Sequence, residues 1–194
     1  MGAPRQYLSP DDRRLMLLDA ARELVETDGL DALSIPAVAT KAGASRALVY
    51  SFFPGNDALL AAFFAQCIQR YQHVLDLVDA EATDAHARAI RLLRSLSELP
   101  ITDLYSLNAV VHSNGSNALM TARQDLEALT KARWSALYDF DSAPPALFTV
   151  LWLFAGITLT LAIDVNAGNT SLDGAEALLR GLLNGGRGFL TTIL

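Results

Sequence analysis

The sequence has a single cysteine, Cys67, in 194 residues, which excludes an intrachain disulfide and any cysteine-based zinc cluster. Histidine is nearly as scarce. His73, His86 and His112 are scattered, with no His-x-x-x-His pair for a metal and no Gly-x-Ser-x-Gly turn for a nucleophile. No catalytic residue, metal or cofactor is expected, so an enzyme is disfavoured. Positive charge is also short: 15 Lys and Arg stand against 21 Asp and Glu, a formal net charge of −6. Residues 1–60 hold six cations and eight anions, which argues against binding nucleic acid by bulk electrostatics. The opening stretch, Met1 to Asp12, has no apolar core of a secretory signal, and Gln6 stands where a myristoylation motif wants Ser or Thr. The expected location is the cytoplasm.

What is present is apolar and helix-forming. Hydrophobic residues make up 52%, alanine and leucine dominate, and long uninterrupted segments lie between Gly, Pro and Asn signals, which favours an all-α fold. Nine helices are expected. The first starts at Asp11-Asp12 and ends at Gly29. The second, Ile35 to Ala42, has Ser34 as its cap and Pro36 in its first turn. Gly43 breaks it, Ser45 caps the third, and Pro54-Gly55 stops that one. Asn56 is the expected cap of a long fourth helix, about Asp57 to Ala80, whose stripe includes Phe64, Cys67 and Tyr71. Thr83 is the expected cap of a fifth helix to Leu96. A sixth runs from near Asp103 to His112, before Asn114-Gly115, and a seventh from Ala118 to Phe140, before Pro144-Pro145. The eighth extends to about Val165, and the ninth runs from Leu172 to the C-terminus, with Asn184-Gly185-Gly186 as the place for a kink.

The eighth segment requires a membrane test. From Ala146 to Ile163 there are 18 residues without a charge, the minimum for a spanning helix. Neither flank has a Lys/Arg cluster, Asp164 closes the run, and Thr149, Thr158 and Thr160 interrupt it. Burial by protein on nearly every side, in a core or a subunit interface, is the reading adopted; no membrane partner is expected.

The stretch Ser34 to Phe53, SIPAVATKAGASRALVYSFF, joins two short helices through a tight glycine-containing turn. That is the physical specification of a helix-turn-helix. Ala39 and Gly43 are small where the helices approach, and Val38, Leu48 and Val49 hold them from inside. Ser45, Arg46 and Ala47 present short or reaching side chains where the second helix would enter a major groove, with Arg46 able to touch a guanine edge or a phosphate. Helix-loop-helix elements also occur in folds that never touch DNA, and Tyr50 can be read as core.

The run Arg14, Leu17-Leu18, Ala20-Ala21, Leu24, Gly29, Ser34, Val38-Ala39, Ala42-Gly43, Ser45, Leu48, Tyr50, Phe53, Leu59 resembles the DNA-binding domain of TetR-family transcriptional regulators over about 47 residues. The resemblance implies a helix-turn-helix domain over residues 1–56 and a helical ligand-binding and dimerisation domain over residues 57–194. Ser34 would contact a phosphate; Ser45, Arg46, Ala47 and Ser51 would face the groove; Tyr50 would pack against or bond the DNA backbone. Asn56 stands where such proteins commonly have Lys, which would leave a neutral side chain at a customary phosphate contact. The implied partners are double-stranded operator DNA with a pseudo-palindrome, a second copy joined through the last two helices, and a small-molecule effector of unknown identity. Repression is the expected outcome. For the effector, the middle helices offer Phe64, Cys67, Tyr71, Tyr105, Asn108, His112, Trp134, Phe148 and Trp152, large apolar groups with a few polar ones among them. Each alone also reads as core. A helical carrier of an apolar ligand with a non-functional head remains the alternative, favoured by the acidic head and by Asn56.

Overall fold

The computed structural model describes residues 9–82, 84–112, 116–135 and 145–193, excluding the side chains of 85, 134–135, 145–148 and 185–193. The described elements are all helical, as the composition implies. Helix α1 (Pro10–Asp28) begins ahead of the two aspartates because Ser9 is its cap. The Asp12 N–H donates to Ser9 Oγ at 3.1 Å, and the Ser9 N–H returns a bond to the Asp12 carboxylate at 3.3 Å. This reciprocal box satisfies two donors that a helix start leaves orphaned, and Pro10 adds no further one. Gly29, at φ 84°, ends the helix. A 3-10 turn (Leu30–Ala32) leads into α2 (Ile35–Lys41), α3 (Arg46–Phe52) and the long α4 (Asn56–Glu81).

The remaining helices are α5 (Ala85–Ser97), α6 (Ile101–His112), α7 (Asn117–Ser135), α8 (Pro145–Asn166) and α9 (Leu172–Ile193). Asp84 caps α5, its carboxylate accepting from the N–H groups of His86 at 2.8 Å and Ala87 at 2.9 Å. The expected cap, Thr83, lies outside the described residues, as do Asn114-Gly115, Phe140 and Pro144. Helix α9 passes through Asn184-Gly185-Gly186 without a break. Glycine weakens a helix by only about 1 kcal/mol per residue, and an established helix propagates across it.

In the head, α1 packs on α2 and α2 on α3; in the body, α4 packs against α5, α6 and α7, while α8 packs on α5 and α6. One buried cluster is continuous from Leu17 and Val49 in the head through Phe63, Phe64, Leu93 and Leu104 to Leu179 in α9. Polar ties fix the packing. Arg133 of α7 donates to Asp79 of α4 at 2.9 Å, and Arg88 of α5 pairs with the same carboxylate. Asn166 is the last residue of α8, and its amide donates to the carbonyls of Ser97 and Leu99 at the end of α5.

Asp103 joins the two halves. Its carboxylate is 0% exposed. Arg70 of α4 donates to both of its oxygens, at 2.7 and 2.6 Å, and Arg22 of α1 donates at 3.1 Å. The Cys67 thiol lies 3.8 Å away.

Helix α8 is only partly covered within a single chain. Within one chain only 28% of residues 149–166 are buried, and Leu153 is 60% exposed. The protein therefore does not cover this helix on all sides by itself, although Leu151, Leu159, Ala162 and Ile163 do face inward.

Cys67 offers a check on the α4–α6 packing. Burial, reinforced by the Asp103 charge, pushes its thiol up to about 11. The thiolate is the reactive form, so on the order of one thiol in a thousand is ionised at pH 8. Iodoacetamide should leave the native protein unlabelled at pH 8 and label it fully in denaturant. Rapid labelling of the native protein would show that this contact opens.

Candidate nucleic-acid interface and ligand cavity

The α2–α3 unit is built by caps and one special turn. Ser34 accepts from the Ala37 N–H at 3.4 Å, and Ser45 accepts from the Leu48 N–H at 3.1 Å. Both hydroxyls use a lone pair for capping, so each O–H remains available to donate, for example to a phosphate oxygen. Between the helices, Gly43 has φ 60°, a conformation that costs most side chains 1–2 kcal/mol. It lets the Ala44 N–H reach the Ala39 carbonyl at 2.9 Å. Val38, Ala39 and Val49 are buried at the crossing.

With Val49 turned inward, the opposite face of α3 is open. Ser45, Arg46, Ala47, Tyr50 and Ser51 are all exposed, and their spacing places them on one side of a helix. Tyr50 is 52% exposed, which removes its reading as a core residue. Ser51 donates to the Leu48 carbonyl at 2.7 Å, so its proton is committed within the helix. Arg46 has no ion-pair partner among the described residues.

Asn56 has a different job from the expected one. Gly55 occupies the cap position of α4, and Asn56 is the helix's first residue. Its Oδ1 accepts from the Ile35 N–H at 3.0 Å, satisfying an orphan donor at the start of α2. Asn56 therefore caps a helix other than its own and ties α4 to α2. Its exposed side-chain amide keeps its N–H donors toward solvent. Sequence reading placed Arg14 in the family run but gave it no contact; its guanidinium lies over Phe53 at 5.5 Å from the ring centroid.

In the body, two neighbouring spaces share Val111 and Trp152. The inner one, about 20 Å³, is walled by Tyr71, Leu107, Thr130, Trp152 and Leu159; it has room for roughly one water. The Tyr71 hydroxyl is pushed up to about 12 by burial, so it is neutral at physiological pH. The outer cleft, about 520 Å³, is bordered by His112, Arg123, Trp152, Ile157 and Thr160, a volume within the range of small-molecule sites. Of the expected pocket residues, Tyr71, His112 and Trp152 border these spaces. Phe64 and Cys67 do not; both are fully buried core, with the Cys67 thiol against Asp103 of α6. Tyr105 is 54% exposed, and Asn108, half-buried, borders neither space. The side chains of Trp134 and Phe148 lie outside the described residues. Thr130 and Arg123 were missed, since α7 reads as an ordinary charged helix.

Residues 17–63 match the family model described as bacterial regulatory proteins, tetR family. Over those residues the chain is similar to the DNA-binding domain of that family. A TetR-like transcriptional regulator from Rhodococcus sp. RHA1 shares its fold over 94% of this chain and 99% of that one, with a TM-score of 0.70 at 20% identity. The multidrug binding protein EbrR complexed with ethidium is similar over 90% of this chain and 99% of its own, with a TM-score of 0.65 at 21% identity. These likenesses show the TetR fold. Among curated proteins, the HTH-type nicotine-responsive transcriptional repressor HdnoR of Paenarthrobacter nicotinovorans is 33% identical over 86 residues, 44% of each chain. The match thus spans less than half of that relative.

The Asn56 tie is testable by stability. Asn56→Ala leaves the Ile35 donor without its partner and should cost about 1 kcal/mol, lowering the melting temperature by roughly 2–4 °C for a chain of this size. An unchanged melting curve would mean that water serves the Ile35 N–H equally well.

Proposed function

We propose that this protein is a ligand-responsive transcriptional regulator of the TetR family, acting as a repressor, that grips a pseudo-palindromic operator as a homodimer in the cytoplasm. The observation that carries this reading is the exposed face of α3: Arg46, without a carboxylate partner among the described residues, flanked by Ser45 and Tyr50, on a short helix locked to α2 by Gly43. A helix so presented can lie in a major groove, with Arg46 on a guanine edge and the Ser34 and Ser45 hydroxyls on phosphates. Repression and a small-molecule effector are supported by HdnoR, a nicotine-responsive repressor, and by EbrR, which holds ethidium. The effector would enter at the Trp152 cleft. Helix α6 borders that cleft with His112 and carries Asp103, whose bonds reach α1; an effector favouring one placement of α6 would thereby favour one placement of the head.

The second copy would cover the apolar faces of α8 and α9. Leu178 and Leu182 are exposed on α9, beside Gly174 and Gly181. Leu153 and Ile157 are exposed on α8 and also border the outer cleft, so the second copy would close part of that cleft's mouth. The two α3 helices would then enter successive major grooves about 34–36 Å apart.

Two measurements test this reading. Selection of duplexes from random DNA should return an inverted repeat, and Arg46→Ala should weaken its binding by about 1–3 kcal/mol. Recovery of no sequence, with ethidium or another apolar ligand still bound, would favour the carrier with a non-functional head. For the dimer, the wild-type protein should purify without detergent at twice its chain mass. Leu178→Arg should give monomer, because an unpaired charge buried in an interface costs several kcal/mol. A wild-type monomer, or partition of the protein into membranes, would contradict the interface.

A further inference from the structure

We infer that Arg14 is a phosphate contact at the exit of α3, held in place by its stack on Phe53. This rests on the DNA-binding reading above and adds a residue on a different helix. The cations of the head are largely committed: Arg22 is bonded to Asp103, and Lys41 lies 3.4 Å from Glu23. Arg14 and Arg46 have no carboxylate partner among the described residues.

Their placement is not arbitrary. Helix α3 has seven residues, Arg46–Phe52, and is therefore roughly 10 Å long. Arg46 is its first residue. Phe53 follows its last, is 1% exposed within the core cluster, and has the Arg14 guanidinium over its ring at 5.5 Å. Two uncommitted cations thus stand at opposite ends of the helix, a separation comparable to the roughly 12 Å width of a major groove walled by phosphates. Asn56, nearby at the start of α4, brings no charge, and its carbonyl oxygen is already taken by Ile35. Arg14 supplies the positive charge on that side. Stacking on the ring pre-orients the planar guanidinium, so less rotamer freedom is lost when a phosphate binds. Its N–H donors at the edge of the plane stay open to solvent.

The test is a salt series by fluorescence anisotropy on a random-sequence duplex, comparing wild type with Arg14→Met and Arg14→Lys. Methionine keeps apolar cover over Phe53 but removes the charge; lysine keeps the charge. Loss of one phosphate contact per subunit should flatten the slope of log affinity against log salt by about 2 in the dimer for Arg14→Met. Arg14→Lys should keep most of the wild-type slope. The inference is overturned if Arg14→Met binds with the wild-type slope, or if it loses thermal stability with no change in slope, which is the signature of a purely structural stack. A wild-type protein that bound no duplex under any salt would overturn the regulator reading and the Arg14 contact with it.

Discussion

The orientation of the head depends on one buried carboxylate. Asp103 has no exposed surface and receives three charged hydrogen bonds, two from Arg70 on α4 and one from Arg22 on α1. A lone carboxylate in such a place would cost many kcal/mol in lost hydration. The two-toothed Arg70 contact offsets that cost through charge and geometry together. Arg22 completes the shell and also faces Glu26 at 3.7 Å, so the excess positive charge of two guanidiniums is itself balanced. Buried ion pairs of this kind add little net stability, yet breaking one by removing a partner typically costs 3–5 kcal/mol. Their value lies in permitting only one arrangement of the helices that supply them.

From that joint the head is placed by a short series of contacts. Helix α1 carries α2, α2 carries α3 through the Gly43 turn, and Phe53 closes the far side beneath Arg14. The Asn56 bond to Ile35 adds a second route from α4 to α2. The recognition face of α3 is therefore referenced to the body by α1 and α4 together, and both of those helices reach α6, which borders the cleft. A rearrangement at α6 cannot be absorbed by a flexible linker, because α4 begins only three residues after Phe53.

Much of the fold was legible because its signals are local. Ser34, Ser45, Gly29 and Gly43 each act within four residues, and their chemistry needs no knowledge of the rest of the chain. What failed was what depends on distance. Arg22 and Asp103 are 81 residues apart, and nothing in a helical period marks Asp103 as buried. Asn56 was given the nearest cap, on α4, when Gly55 holds that place and the asparagine serves a helix 21 residues earlier. On α4 a single apolar stripe carries Phe64, Cys67 and Tyr71, yet of the three Tyr71 alone borders the two spaces described above; periodicity tells inside from outside but not core from cavity wall. For α8, uniform apolarity marked a helix to be covered by protein but did not tell which of its residues the chain itself would cover: Leu151 and Leu159 are buried, whereas Leu153 and Ile157 are exposed.

The claim that Asp103 fixes the head to the body is tested most directly by native-state hydrogen exchange on wild type and Asp103→Asn. Asparagine keeps the shape but removes the counter-charge of Arg70 and leaves Arg22 only its contact with Glu26. The expected result is faster exchange, by roughly a hundredfold or more, concentrated in α1 and the first turn of α6, with the α5, α7 and α8 amides little changed. Exchange in α1 at the wild-type rate, or an equal increase in every helix, would contradict it and leave the head held by apolar packing alone.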